Sequence, residues 1–258
     1  MRLGVDAPGL ASDCRLAVLG GCGGIGRALV NAAQARGAQV CVLDLKISIE
    51  RHPPPTGVEA IEVDATQIES LRVGFQHIAS KWQALDGFVN LCGFMHENEP
   101  LENIPLATLD EIVAGNLRSV VSAAQLAVPL LRRGRDASLV NAASGLAQFI
   151  RPGFGAYAVA KAGVIAATKT LALENAPLIR ANAVAPAAVD TAFLRGGTGR
   201  SDESDDAHLD LAAYTAQIPM QRMATVDDIV GPTLFLLSDA SRFMTGQVLW
   251  INGGAYMP

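Results

Sequence analysis

RLAVLGGCGGIG, residues 15–26, is the stretch that decides the fold. After Arg15, the residues Leu16 to Leu19 form an apolar run, as in a buried strand. Five of the next seven residues are glycine. A helical pattern then begins at Gly24 and runs to Arg36. Glycines let the chain turn tightly and let backbone N–H groups come close to a ligand, while a helix N-terminus adds partial positive charge. Strand, glycine turn and helix in this order predict a pyrophosphate-binding turn built on Gly20, Gly24, Ile25 and Gly26.

Working outward, AQVCVLDL predicts a second strand that closes on Asp44, eighteen residues after Gly26. A carboxylate there can accept hydrogen bonds from both adenosine ribose hydroxyls and would repel a 2′-phosphate. That predicts NAD(H) in preference to NADP(H). Lys46 is close enough to soften the discrimination, and a plain strand-end cap is the alternative for Asp44. Prolines at 53–55 mark a loop. Further strands are predicted at VEAIEV, DGFVNLCG, ASLVNAAS, IRANAVAP and QVLWING. Helices are predicted over 67–82, 109–131, 154–175 and 226–237. This alternation argues for an α/β fold: one doubly wound parallel sheet of about seven strands with helices on both faces. The expected organisation is a short leader, 1–13, and a single domain, 14–258, with a substrate loop at about 190–215. The Gly/Ser/Asp-rich stretch 196–208 lacks periodicity and reads either as a solvated loop or as a lid over a ligand.

Composition narrows the function. Half of the 258 residues are hydrophobic and the net charge is −5. No run of Lys or Arg suggests a nucleic-acid partner. No apolar stretch reaches roughly 18 residues, so no membrane span is expected. The N-terminus lacks the apolar core of a signal peptide. Four cysteines without CxxC spacing predict free buried thiols and a cytoplasmic setting. Four scattered histidines predict no metal.

The chemistry-bearing pattern is FGAYAVAKAG. Tyr157 and Lys161 are four residues apart and share one helix face. An ammonium beside a phenol favours the phenolate, which can then move a proton near neutral pH.

With these motifs together, nearly the whole chain resembles the short-chain dehydrogenase/reductase family, whose domain is of the Rossmann type. The family's Thr-Gly-x-x-x-Gly-x-Gly turn falls on the segment from Leu19 to Gly26, with Leu19 in place of Thr. Its Asn-Asn-Ala-Gly resembles Asn90-Leu91-Cys92-Gly93. Its Pro-Gly-x-x-x-Thr resembles Pro186 to Thr191, with Ala187 in place of Gly. If that position required an unusual φ, Ala187 would cost on the order of 1 kcal/mol. The resemblance implies a catalytic tetrad of Asn116, Ser144, Tyr157 and Lys161, with Ser144 thirteen residues before Tyr157. It implies cofactor contacts from Asp64 and Ala65 at the adenine, from Asn90 and Gly93 along the cleft, and from Pro186, Val189 and Thr191 at the nicotinamide half. Asn116 is expected to hold a water beside Lys161.

The implied activity is interconversion of a secondary alcohol and a ketone by hydride transfer. Tyr157 is the general acid/base, Ser144 steadies the substrate oxygen, and Lys161 holds the ribose. The substrate is expected to be a small organic alcohol or ketone in a largely apolar pocket. That pocket is predicted to be lined by Phe94, Met95, His96, Gln148, Phe149, Phe154 and Phe193. Arg151 and Arg195 read as solvated arginines or as contacts for an acidic substrate. One alternative is a 3-oxoacyl-carrier-protein reductase running on NADPH, with Arg132, Arg133 and Arg135 as a patch for the carrier. Another, of a different class, is a non-catalytic NAD-binding regulator. By resemblance a homotetramer or homodimer is expected, with Ala158, Ala162, Ala166 and Ala167 offering a small helix face for packing.

Overall fold

Seven strands pair in parallel in the order β3-β2-β1-β4-β5-β6-β7. The structure, a computed structural model, describes residues 10–201, 203 and 210–257. The strands are β1 (Arg15–Leu19), β2 (Gln39–Asp44), β3 (Glu59–Glu62), β4 (Gly87–Asn90), β5 (Ser138–Ala142), β6 (Arg180–Pro186) and β7 (Val248–Ile251). The helices are α1 (Gly24–Gln34), α2 (Lys46–Arg51), α3 (Ile68–Trp82), α4 (Leu106–Val113), α5 (Ser119–Leu131), α6 (Gly155–Asn175), α7 (Leu211–Ala216) and α8 (Val226–Leu237).

Alternation along β1 shows why the sheet is covered twice. Successive strand residues point to opposite faces. Leu16 and Val18 pack with Leu29, Val30, Ile229 and Leu236 on the α1/α8 side. Ala17 and Leu19 pack with Leu71, Phe75, Ala123 and Ala127 on the α3/α5 side. A strand buried on both faces must be apolar throughout, and all four of these β1 residues are fully buried. The strand order reverses between β1 and β4, so the crevice beyond their carboxyl ends is where a doubly wound sheet takes its ligand.

Two differences from the predicted elements matter for that crevice. The helix predicted over 109–131 starts earlier, at Leu106, and is interrupted by a π turn, Ala114–Arg118. There the Ser119 N–H reaches back five residues to the Ala114 carbonyl, and the Ser119 hydroxyl bonds the Gly115 carbonyl at 2.7 Å. Also, α2 and α7 were not predicted, because each is only six residues long and too short to show a period. By contrast α8 has a legible start, a Thr225/Asp228 capping box.

One helix reaches membrane-spanning length and hydropathy by composition alone. This is α6, 21 residues long. It is a core helix, with Tyr157, Lys161, Thr168 and Asn175 all buried within the protein.

The four thiols are free. Burial pushes Cys14, Cys22 and Cys41 up to about 12 and raises Cys92 as well, so none is a thiolate at neutral pH. Most of the predicted leader, 1–9, lies outside the described residues, and Leu10 packs into the core.

Candidate active site

A single cleft runs along the carboxyl ends of the strands, from Asp44 and Asp64 at one end, past the glycine turn, to Ser144 and Tyr157 at the other. Gly20, Gly24, Ile25, Gly26, Ala65, Gly93, Pro186, Val189 and Thr191 all line it, as predicted.

The glycine turn is built by close approach. A Cβ at Gly26 would lie 2.2 Å from the Gly20 carbonyl oxygen, and one at Gly24 would lie 2.6 Å from Thr191 Cγ2. Gly20 turns with φ +82° against the backbone of Leu91 and Cys92. This direct packing stands where the family's threonine hydroxyl would have tied the turn to the loop after β4. No side chain caps α1. Its first N–H groups, at Gly24, Ile25 and Gly26, therefore present donors and partial positive charge to the cleft. Such a cradle fits a pyrophosphate.

Asp44 is held in place by the turn it faces. Its carboxylate accepts from Cys22 N at 2.8 Å and from Leu45 N at 2.8 Å. Burial raises its pKa, and these hydrogen bonds oppose the rise. Two amide bonds leave further lone pairs for ribose hydroxyls. Asp64 folds its own turn: Oδ1 accepts from Thr66 N at 2.9 Å and from Thr66 Oγ1 at 2.7 Å.

At the far end Tyr157 is buried, and Ser144 lines the same end of the cleft, its hydroxyl accepting from Leu146 N at 3.2 Å. Burial raises the Tyr157 pKa and the neighbouring Ser144 hydroxyl pulls it partly back. Lys161 Nζ lies 5.6 Å from the Tyr157 ring centre and donates to the Ala142 carbonyl at 2.9 Å. Burial lowers Lys161 to about 8. The expected depression of the phenol by the ammonium is thus not seen. Both groups are buried, and burial disfavours each charged form.

Asn116 sits in the π turn, fully buried, behind the cleft wall. Its amide donates to the Phe94 and Ile112 carbonyls, both at 3.0 Å, and its oxygen accepts from Phe94 N at 3.2 Å. The side chain clamps the strand exit that carries Gly93 and Phe94. A Cβ at Gly93 would lie 2.5 Å from Asn116 Oδ1 and 3.1 Å from Lys161 Nζ, so only glycine fits between them.

Three predicted lining residues are misplaced. Asn90 is buried in the wall, where its oxygen accepts from Cys92 N at 3.0 Å. His96 and Gln148 are exposed and do not line the cleft. Phe94, Met95, Phe149, Phe154 and Phe193 do line it, as does Arg151. Tyr214 and Tyr256 were missed; both line the cleft from segments far along the chain. Ala187 does not adopt a positive φ, so the strain envisaged there is absent.

The described part of the 190–215 loop crosses the cleft. Ser48 bonds Thr198 O at 3.3 Å, Arg51 bonds Ser201 O at 2.8 Å, and His52 meets Glu203 at 3.0 Å. On the other bank Arg200 pairs with Glu111 and lies 3.6 Å above the Phe94 ring.

Comparison with known proteins agrees with this geometry. A family profile described as Enoyl-(Acyl carrier protein) reductase matches residues 20–256. The probable galactose dehydrogenase GalD of Rhizobium meliloti is 32% identical, over 95% of each chain. The 3-oxoacyl-[acyl-carrier-protein] reductase FabG of Staphylococcus epidermidis is 30% identical, over 93% of this chain and 98% of that one. Among solved structures, ligand-free Thermoplasma acidophilum aldohexose dehydrogenase superposes with a TM-score of 0.84 at 28% identity, covering 97% and 98% of the two chains. The Brucella melitensis 3-ketoacyl-(acyl-carrier-protein) reductase, complexed with NADH, superposes with a TM-score of 0.85 at 25% identity, covering 96% and 100%. The chain therefore belongs to the short-chain dehydrogenase/reductase family, and it is an oxidoreductase acting on CH–OH and carbonyl groups with a nicotinamide dinucleotide.

Proposed function

We propose that the protein interconverts a secondary alcohol and a ketone with NAD(H), using Tyr157 as the proton donor and acceptor. The observation that carries this reading is that buried Ser144, Tyr157 and Lys161 line one end of the cleft, opposite Asp44. When bound, the nicotinamide accepts or supplies the hydride. Everything else falls to the side chains. The Ser144 hydroxyl orients the substrate oxygen and steadies the charge that develops on it. Tyr157 Oη takes the hydroxyl proton or returns it. Lys161, with its lowered pKa, is suited to holding ribose hydroxyls and to exchanging a proton behind Tyr157. Asn116 positions Gly93 and Phe94 so that the cleft keeps its shape.

The preference for NAD(H) rests on Asp44, which two backbone amides fix at the adenosine end. A 2′-phosphate beside that carboxylate would meet like charge at a cost of several kcal/mol. The NADH in the Brucella structure supports the same reading. The test is a pair of fluorescence titrations. NADH is expected to bind at least about tenfold tighter than NADPH, a difference of about 1.4 kcal/mol. Tighter NADPH would reverse the assignment. A screen of alcohols and ketones at the cofactor absorbance band would accompany it, and no turnover of any would overturn the proposed reaction.

The carrier-protein reading is second, on the strength of the Staphylococcus relative. Its proposed basic patch is weak. Arg132 is tied to Asn175 at 2.8 Å and Arg135 to Asp13 at 2.7 Å. These arginines also precede β5, at the sheet edge opposite the cleft.

We further infer a homodimer or homotetramer in a reducing, cytoplasmic setting, which the free thiols suit. The outer face of α6 exposes Val159, Ala162, Ala166 and Leu173 in one stripe, a surface that a second copy can cover. Sedimentation is expected to show an oligomer, and a monomer at micromolar concentration would overturn this.

A further inference from the structure

We propose that the cleft selects a carboxylate-bearing substrate, a hydroxy or oxo acid with an apolar body, through Arg151. The inference rests on the oxidoreductase reading above and gives it a substrate class.

The observation is a cation with no anion. Arg151 lines the same cleft as Ser144 and Tyr157. Its guanidinium lies 5.5 Å from the centre of the Phe149 ring and 5.5 Å from that of Tyr214. Phe149 in turn stacks on Tyr256, with ring centres 5.3 Å apart and planes within 4°. All four side chains wall the cleft. Among the described residues Arg151 has no carboxylate or hydrogen-bond acceptor of its own. The rings hold the guanidinium without using its N–H donors. A planar fork kept in place with its donors unspent matches a carboxylate in two-point geometry.

The charges around it point the same way. Among the described residues the carboxylates lining the cleft are Asp44 and Asp64, both at the adenosine end. The other arginine in the wall, Arg200, is already paired with Glu111. So among the described residues the substrate half holds one uncompensated arginine, set among aromatic and aliphatic walls with no acid beside it. A hexose would instead need many side-chain hydrogen bonds, and the phenylalanines at 149, 154 and 193 supply none. An acid with an apolar body uses both parts: the rings take the body and Arg151 takes the charge. Its CH–OH or C=O then falls to Ser144 and Tyr157.

The test has a binding arm and a kinetic arm. In the first, benzoate and benzamide are titrated into the full-length protein by calorimetry. Benzoate is expected to bind at least about tenfold tighter, and Arg151→Gln to erase that difference. Arg151→Lys keeps the charge without the fork and is expected to restore part of it. In the second arm, mandelate and 3-hydroxybutyrate are compared with their methyl esters as NAD⁺-dependent substrates. The better acid is expected to exceed its ester by about 30-fold in kcat/KM, with Arg151→Gln raising KM for the acid far more than it lowers kcat. Equal binding of benzoate and benzamide, or a benzoate preference that survives Arg151→Gln, overturns the inference. So does an enzyme that oxidises neutral alcohols with no preference for either acid. Those results leave the oxidoreductase reading intact. Benzoate held by Arg151 in a protein that oxidises nothing would instead sink the reaction and keep the anion site.

Discussion

Replacing Tyr157 with phenylalanine is expected to lower kcat by about a thousandfold or more, while NADH binding stays within about twofold. The substitution removes one oxygen from a buried ring and keeps the ring's packing, including its tilted contact with Phe193 at 6.0 Å. The fold and the cofactor half of the cleft are therefore spared. What is lost is a place for the hydroxyl proton as hydride leaves the carbon. Lys161 is no substitute, because its ammonium is directed to the Ala142 carbonyl at 2.9 Å. Ser144 is a poor base without a partner to take its proton. Steady-state rates at the cofactor absorbance band, with NADH fluorescence titration on the same sample, check both halves. Undiminished turnover would assign the proton to another group.

The second large effect is expected at the other end of the cleft. Gly26→Ala should weaken NADH binding by at least about 100-fold and destabilise the protein by about 3 kcal/mol, the upper end for overpacking. The added methyl would stand 2.2 Å from Gly20 O, 2.8 Å from Gly21 Cα and 2.9 Å from Gly21 C. All three are backbone atoms, so no side chain can swing aside and the turn itself must open. Gly23→Ala is the informative control. Its Cβ meets only Gly20 O, at an ordinary 3.5 Å, and its φ of −70° suits any residue. That variant should unfold in urea at the wild-type midpoint. If Gly26→Ala did the same and bound NADH normally, the close approach in this turn would have no role in holding the cofactor.

Much of the framework was legible because it is written in short-range pattern. The apolar run of β1, the glycines after it and the capping box of α8 each announce themselves within a few residues. The reversal between β1 and β4 then follows from the topology rules. Residues at strand ends were harder. His96 and Gln148 lie beyond β4 and β5, where no period says which way a side chain turns; both are exposed, and His96 lines a small separate pocket beside Phe154 and Tyr157. Asn90 was assigned to the cofactor because the motif carries it, but on the strand its side chain is packed inside the wall. Tyr214 and Tyr256 reach the cleft from a six-residue helix and from the last residues described. Their arrival there is a property of the assembled sheet, not of their neighbours in sequence. The Tyr157/Lys161 pair was placed correctly on one helix face. Its electrostatics were not legible, since the burial that raises one pKa and lowers the other comes from the tertiary structure.

The widened turn at Ala114–Arg118 makes chain length a functional variable. One residue of an α-helix corresponds to about 100° of rotation. Deleting a single residue from this turn would let the helix close into a regular spiral with ordinary carbonyl pairing, a gain in local order. It would also swing the amide of Asn116 through roughly that angle, away from Phe94 and Gly93. Substitution tables weigh such a segment by which amino acids it tolerates. Here the count of residues carries as much information as their identity, and an indel that looks harmless on a surface helix would unseat the strand exit beside Lys161.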